Sequence, residues 1–422
     1  MNSDQRGVPR REFLKAAVAI GGASALSACL GRTDDPIPGG VADPTTLPTR
    51  QHAWNDHAAR DDAGNVLPPR HHVLLHLSLP AGPAATTDAD RRAVTAALTA
   101  LERAYEWSNE GLLFTIGYSP AYFDALDAAP TGVDLPRPRA LSELESPTLD
   151  EPDAILHLAS DRADAVLEAE AALRGDRDAA NDEPIDATLT SVFDVVDRRT
   201  GFVGAGLPAD NQDTGGVPDD TPVPEDAPLY MGFKSDFEGS QATEDRVTID
   251  DGPFAGGTTQ HVSHITLNLQ QWYGQDDRED REAKMFCPAH AADDRIEGTG
   301  ENLGAAPGLD GSPAPAESAR EDGMVGHGQK LQAVREDGRP IILRRDFDST
   351  DGGQAGVHFL ALQSAISDFV RTREAMNGAD VTADSAVGRT ANNGIRQYLS
   401  VTNRGNFLVP PRPKRALPKP DA

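Results

Sequence analysis

The chain has 422 residues, 38% of them hydrophobic, and a formal net charge of -28. That length suits two domains of ordinary size, and so acidic a surface excludes nucleic acid as a partner, because phosphate contacts need clustered Lys and Arg. With only six lysines, the surface is of the kind that stays hydrated where salt screens charge repulsion, so a halophilic source is expected.

Residues 9–15 read Pro-Arg-Arg-Glu-Phe-Leu-Lys, and an apolar run from Ala16 to Leu26 follows. This is the twin-arginine export pattern. The run is too short to span a bilayer and ends in Leu26-Ser27-Ala28-Cys29, which resembles a lipobox. Residues 1–29 are therefore expected to be a twin-arginine signal, with Cys29 lipidated and the protein anchored at the cell surface. The alternative is a secreted protein in which Cys29 has no role. With Cys29 in the leader, Cys287 has no partner for a disulfide within the chain. The twin-arginine route carries folded proteins, often with a cofactor inserted, so a cofactor is expected. Residues 30–68, rich in Pro, Asp, Gly and Thr and without apolar periodicity, predict a flexible linker.

Folded structure is expected from residue 69. Strand-like apolar runs lie at 72–79, 111–118, 154–159 and 191–197. Helical spacing of Val94, Leu98, Leu101 and Tyr105 predicts a helix over 88–107, and Ala165, Val166, Ala169 and Leu173 predict one over 162–173. The order is β-α-β-β-α-β, a ferredoxin-like unit covering 69–206. An acidic connector is expected over 207–250. A second such unit over 251–410 has strands at 259–269, 341–345 and 357–362, helices at 277–285 and 363–376, and a closing strand at 405–409. The fold class is thus α+β, two ferredoxin-like halves with antiparallel sheets. Acidic, Pro/Gly-rich stretches at 207–228 and 291–323 read as long loops, and the tail over 411–422 as loosely ordered.

No phosphate-cradling glycine loop, His-Glu-x-x-His, paired Cys-x-x-Cys or Gly-x-Ser-x-Gly is present. Chemistry must be sought among eleven histidines and the arginines. Two stretches stand out. One is Gly326-His327-Gly328-Gln329-Lys330 ahead of Ile341-Ile342-Leu343-Arg344-Arg345-Asp346. The other is Gly256-Gly257-Thr258-Thr259, which opens a strand leading to Trp272.

These stretches, with residues 117–124 and 141–174, the Gly356-Val357-His358-Phe359-Leu360-Ala361 run and the closing segment 405–411, resemble the dye-decolourising peroxidase (DyP-type) superfamily along most of the folded chain. The resemblance implies a DyP-type, dimeric α+β barrel fold with haem b in the C-terminal half. It implies hydrogen peroxide and a reductant as reactants, and it is compatible with a homo-oligomer. Carried over position by position, it makes His327 the proximal ligand of the haem iron. Arg344, or Arg345 if the register slips, becomes the distal arginine, which can stabilise charge on the departing peroxide oxygen. Phe359 becomes a distal wall, and Thr258 and His264 further haem contacts.

The chain departs from the family in two places. Where the family has Gly-Phe-x-Asp-Gly, residues 201–206 read Gly-Phe-Val-Gly-Ala-Gly, so Gly204 replaces an acid–base carboxylate. Where the family tends to place arginines that neutralise haem propionates, this chain has Ser263, His264 and Thr266. His358 either supplies the lost acid–base group or is a core histidine. Cys287 and His290, at i and i+3, either share a metal or axial position or are simply buried. Trp107, Tyr118, Trp272 and Tyr273 are candidate electron relays or packing residues. Three functions remain open on the sequence: a haem peroxidase, a non-catalytic haem- or iron-handling lipoprotein, and a scaffold without haem that serves a binding role.

Overall fold

Period-two alternation organises both halves of the molecule. The computed structural model of the protein describes residues 35–421 apart from 221 and 384, so the twin-arginine pattern and Cys29 lie outside the described residues. In β1 (His71–Ser78), Val73, Leu75 and Leu77 point to one face and Leu74 to the other. Two helices cover the first face: α1 (Asp88–Ala104), started by a Thr87–Asp90 capping box, and α2 (Ala163–Arg174), ended by left-handed Gly175. With β2 (Leu113–Tyr118), β3 (Ala154–Ser160) and β4 (Asp194–Phe202), the antiparallel order is β4-β1-β3-β2.

The C-terminal half repeats this order. Its strands are β5 (Thr258–Leu267), the short pair β6 (Leu343–Arg344) and β7 (Phe347–Ser349), β8 (Gly356–Gln363) and β9 (Leu399–Val409). Antiparallel pairing runs β9-β5-β8, and β8 then takes β6 and β7. Helices α3 (Leu269–Gly274), α4 (Arg278–Met285), α5 (His327–Leu331) and α6 (Ile366–Asn377) follow their strands. The halves join edge to edge through Tyr118↔Leu408 and Asp348↔Phe202, so the sheet closes into a barrel with no long free edge. Leu74, Ile155, Val262, Leu360, Leu362 and Phe407 fill its lumen.

Each seam has a single strand pair, and side chains complete it. At Asp348↔Phe202 the backbones approach so closely that a Cβ on Gly201 would stand 2.1 Å from the Asp348 carbonyl oxygen and 2.3 Å from the Phe347 ring. Gly201→Ala is therefore expected to destabilise the fold by roughly 1–3 kcal/mol, the usual cost of overpacking, read as a lower urea midpoint at constant m-value. At the other seam the Gln51 amide donates to the Ile116 and Pro410 carbonyls, at 3.1 and 2.8 Å, and its oxygen accepts from Ile116 N–H at 3.0 Å.

Gln51 also corrects the expectation of a linker over 30–68. The described part of that segment packs on the barrel, with Trp54 only 2% exposed and its backbone N–H on the Glu244 carboxylate. The buried aromatic and the amide rung outweigh a Pro- and Asp-rich composition. The tail is ordered for a similar reason. Leu417 is fully buried, Arg412 and Arg415 both reach the buried Glu102 carboxylate, and Tyr118 and Tyr122 donate to the Arg415 and Pro418 carbonyls. Among the described residues no helix is long and apolar enough to cross a membrane.

Candidate functional site

In the N-terminal half the outer face of the sheet is filled by α1 and α2. In the C-terminal half the corresponding face borders a cavity of about 420 Å³, a size typical of small-molecule and cofactor sites. Alternation decides what the sheet shows to it. Ser263, Ile265 and Leu267 come from β5, Val357 and Phe359 from β8, and Arg344, Asp346 and Asp348 from the β6–β7 run. In β9 the pairing register slips between Val401 and Asn403. This bulge moves the cavity face from Leu399 and Val401 to Arg404.

The opposite wall is helical. Phe369, Thr372, Arg373 and Met376 project from one stripe of α6, His327 and Leu331 from α5, and Met285 from α4. The acidic connector and one stretch read as a loop contribute apolar lining: Leu229, Met231 and Phe233 from the connector, and Leu309 from 291–323. His327 is half-buried, with its open side on the cavity. Burial, helped by Lys330, Arg344 and Arg373, pushes its pKa down to about 3, so its imidazole is neutral with a free lone pair. Neighbours fix the short helix that carries it. Gln329 accepts from Gly326 N–H at 2.8 Å, and Lys330 Nζ donates to the Met376 and Asn393 carbonyls at 3.0 Å.

Charge at the cavity is unevenly distributed. Arg404 and Arg373 both contact Glu145, at 3.0 and 3.1 Å, and Arg396 lines the same side. Burial pulls the Glu145 carboxyl up, but the Arg404 hydrogen bonds, the Leu141 N–H and Arg373 outweigh it and hold it low. Three guanidiniums around one carboxylate leave positive charge for an anionic ligand edge. Elsewhere on the sheet wall Arg344 Nη1 stands 3.6 Å from Asp346 Oδ2, and Arg344 Nη2 donates to Ser235 O at 3.1 Å.

Three of the residues singled out in the sequence, His327, Arg344 and Phe359, therefore line one cavity, with the imidazole on the helical wall and the other two on the sheet. The other four do not. Arg345 points into the barrel, where it bonds Glu244 at 2.9 Å and His52 O at 2.7 Å and stacks 4.1 Å over Trp54. It pins the N-terminal segment. His358 faces inward too, with Nε2 2.9 Å from Asp351 and its ring stacked on His264 at 4.7 Å. Both face inward, because neighbours in a strand face opposite ways; His358 is a fully buried core histidine and His264 is half-buried. Thr258 is buried with its hydroxyl on the Val247 and Gln363 carbonyls.

Cys287 and His290 are buried away from the cavity, and no group of three or more metal-ligating side chains occurs among the described residues. Trp107, Tyr118, Trp272 and Tyr273 pack or hydrogen-bond and do not line the cavity. Sequence reasoning missed Glu145, Arg373 and Arg404, and took Asp346 only as an ion-pair partner of Arg344, which it is, and not as a cavity residue. Alternation from Arg344 points to Asp346, and helical spacing from Phe369 to Arg373. The β9 bulge hid Arg404, which sits directly across from Ser263 in the β5–β9 register.

Residues 69–411 match the model of a family of unknown function (DUF7405). No curated protein matches the sequence. Among solved structures, the chain is similar to the encapsulated DyP-type peroxidase from Mycobacterium smegmatis, with a TM-score of 0.56 and 17% identity over 85% of this chain and 97% of that one. A dye-decolorizing peroxidase from Bacteroides thetaiotaomicron gives 0.53 and 16%, over 85% and 98%. A variant of DypB from Rhodococcus jostii RHA1 in complex with haem gives 0.51 and 16%, over 82% and 95%. The shared property at these identities is the fold, which is that of the DyP-type peroxidases.

Proposed function

We propose that this chain, which belongs to the DUF7405 family, is a haem-binding, DyP-type peroxidase that uses hydrogen peroxide and an external reductant. One observation carries the reading. A neutral imidazole, His327, faces Arg344 and Phe359 across an apolar cavity that has surplus guanidinium charge along one side. The residues present fit haem b. His327 would ligate the iron, Arg373 and Arg396 would meet the propionates, and Phe359, Ile265 and Val357 would cover the ring. Haem bound there would supply the redox chemistry that reduces peroxide and oxidises a reductant. Arg344 would polarise peroxide and stabilise negative charge on its departing oxygen. A neighbour of the same fold is described in complex with haem.

Export by the twin-arginine route, lipid anchoring through Cys29 and a high-salt environment belong to the same proposal and rest on the sequence pattern alone. Hemin titration is the test. The wild-type protein should develop a Soret band that saturates near one equivalent. His327→Ala should keep its far-UV circular dichroism and lose the band. An identical band in His327→Ala overturns the ligand assignment. A wild-type protein that binds hemin but never turns over a reducing dye with peroxide supports haem handling instead.

A further inference from the structure

The haem-peroxidase reading leaves the cavity without a proton carrier at the place where the family has one. Gly204 cannot provide it. It lies outside the cavity lining with φ 122°, and a Cβ there would point at Arg70, 3.2 Å from its Nη1. A left-handed backbone of this kind strains any L side chain.

A carboxylate does stand on the cavity wall two residues from Arg344. Asp346 Oδ1 accepts from Leu360 N–H at 3.2 Å, and Oδ2 is 3.6 Å from the Arg344 guanidinium, so one oxygen is anchored and the other faces the cation. The charged groups around it are Arg344 and Asp348 on its own run, Asp236 and Lys234 from the connector, and His327 and Arg373 from the helical wall. Asp348 is occupied differently, because it accepts from Tyr230 N–H at 2.5 Å. Burial, reinforced by Asp236 and opposed by Arg344, pushes the Asp346 carboxyl up to about 7, where it both accepts and donates a proton at neutral pH.

Resting on the haem-peroxidase reading, we infer that Asp346 is the acid–base residue of this cavity, working beside Arg344 in place of the carboxylate absent at Gly204. Asp346 takes the proton from one oxygen of hydrogen peroxide and delivers it to the other. The O–O bond breaks with its electron pair on the oxygen that leaves as water, and the carboxylate ends as it began. The external reductant supplies two electrons through the haem proposed above, and with two protons from solvent they take the second oxygen to water as well.

The test has two arms. The first uses the protein without haem. Losing a proton between pH 6 and pH 8.5 costs a buried carboxyl stability, since the folded form holds that proton more tightly than the unfolded one. Asp346→Asn should therefore melt together with wild type at pH 6 and above it at pH 8.5. A gap that stays constant across this range overturns the inference. In the second arm, hemin-loaded Asp346→Asn should keep its Soret band and a hemin affinity within about twofold. Its reaction with peroxide should slow by about a hundredfold or more, lose its inflection near pH 7, and recover in part in Asp346→Glu. An unchanged rate and pH profile in a hemin-loaded variant overturns this inference alone. A wild-type protein that takes up no hemin overturns the functional reading and this inference with it.

Discussion

Lowering the pH from 7 to 5 is expected to unfold the protein without ligand, or to remove most of its stability. Burial, ahead of nearby cations, drives the pKa values of His52 and His72 down to about 3 and of His71 and His76 down to about 4, and holds those of His157 and His261 well below their ordinary range. His72 and His157 share one proton across 2.9 Å inside the barrel and stack on Phe347, so neither gains by protonation in place. The unfolded chain takes up these protons from about pH 6.5 downward, and the folded chain does not until about pH 4. In that window the unfolded state binds more protons, so stability falls as pH falls, by about 1.4 kcal/mol per pH unit for each group well below 6.5. Asp346 and Asp348 act in the opposite sense, because their raised pKa values favour the folded state as pH falls, and Asp153, Asp161, Asp236 and Asp368 add smaller effects of the same sign. Six histidines outweigh them. The net loss approaches the roughly 5–15 kcal/mol that holds an ordinary domain together. Urea titrations at half-unit pH steps check this, and a midpoint that does not move between pH 7 and pH 5 excludes it.

Glu102→Ala is expected to cost about 3–5 kcal/mol, because it leaves buried cations without a counter-charge. The Glu102 carboxylate lies on α1 and is 2% exposed. It receives Arg415 Nη2 at 2.8 Å and the Nη1 groups of Arg415 and Arg412. Arg412 also stacks 4.4 Å over Trp107 and donates to Pro48 O at 2.8 Å, so it cannot swing into solvent without uncovering the core. Glu102→Gln keeps an acceptor but loses the charge, and should fall between wild type and Glu102→Ala. Equilibrium unfolding near pH 7 measures the effect. A change below about 1 kcal/mol in Glu102→Ala would mean that the arginines find water, as surface ion pairs do.

The two ferredoxin-like halves are legible in the sequence because buried strands and amphipathic helices print their periods on it. The strands that escaped or were cut short are those whose charges are neutralised across the fold. β4 continues through Asp197-Arg198-Arg199-Thr200 to Phe202 because Arg198 meets Glu170 and Arg199 meets Asp150, far away in the chain. The first half of β9 is polar for a related reason, since Asn403 and Arg404 reach Asp150 and Glu145. At the site, a local motif marked His327, Arg344 and Phe359. Period two alone separates them from Arg345 and His358, one residue away on the other face. Thr258 and His264 were misplaced because a motif names a strand without saying which of its residues reach the ligand. The N-terminal segment and the tail were misjudged from composition. Their anchors are few residues, Gln51, Trp54, Arg412 and Leu417, set among prolines that say nothing about packing.

The strap of residues 412–418 across the N-terminal half has a consequence for the order of assembly. Glu102, Tyr118 and Tyr122 are translated about three hundred residues before the arginines and carbonyls that satisfy them. Until residues 412–418 have been made, the Glu102 carboxylate lacks both arginines and the Tyr118 and Tyr122 hydroxyls lack these acceptors. Arrival of this strap, and not emergence of the first half, is the event that completes the N-terminal half.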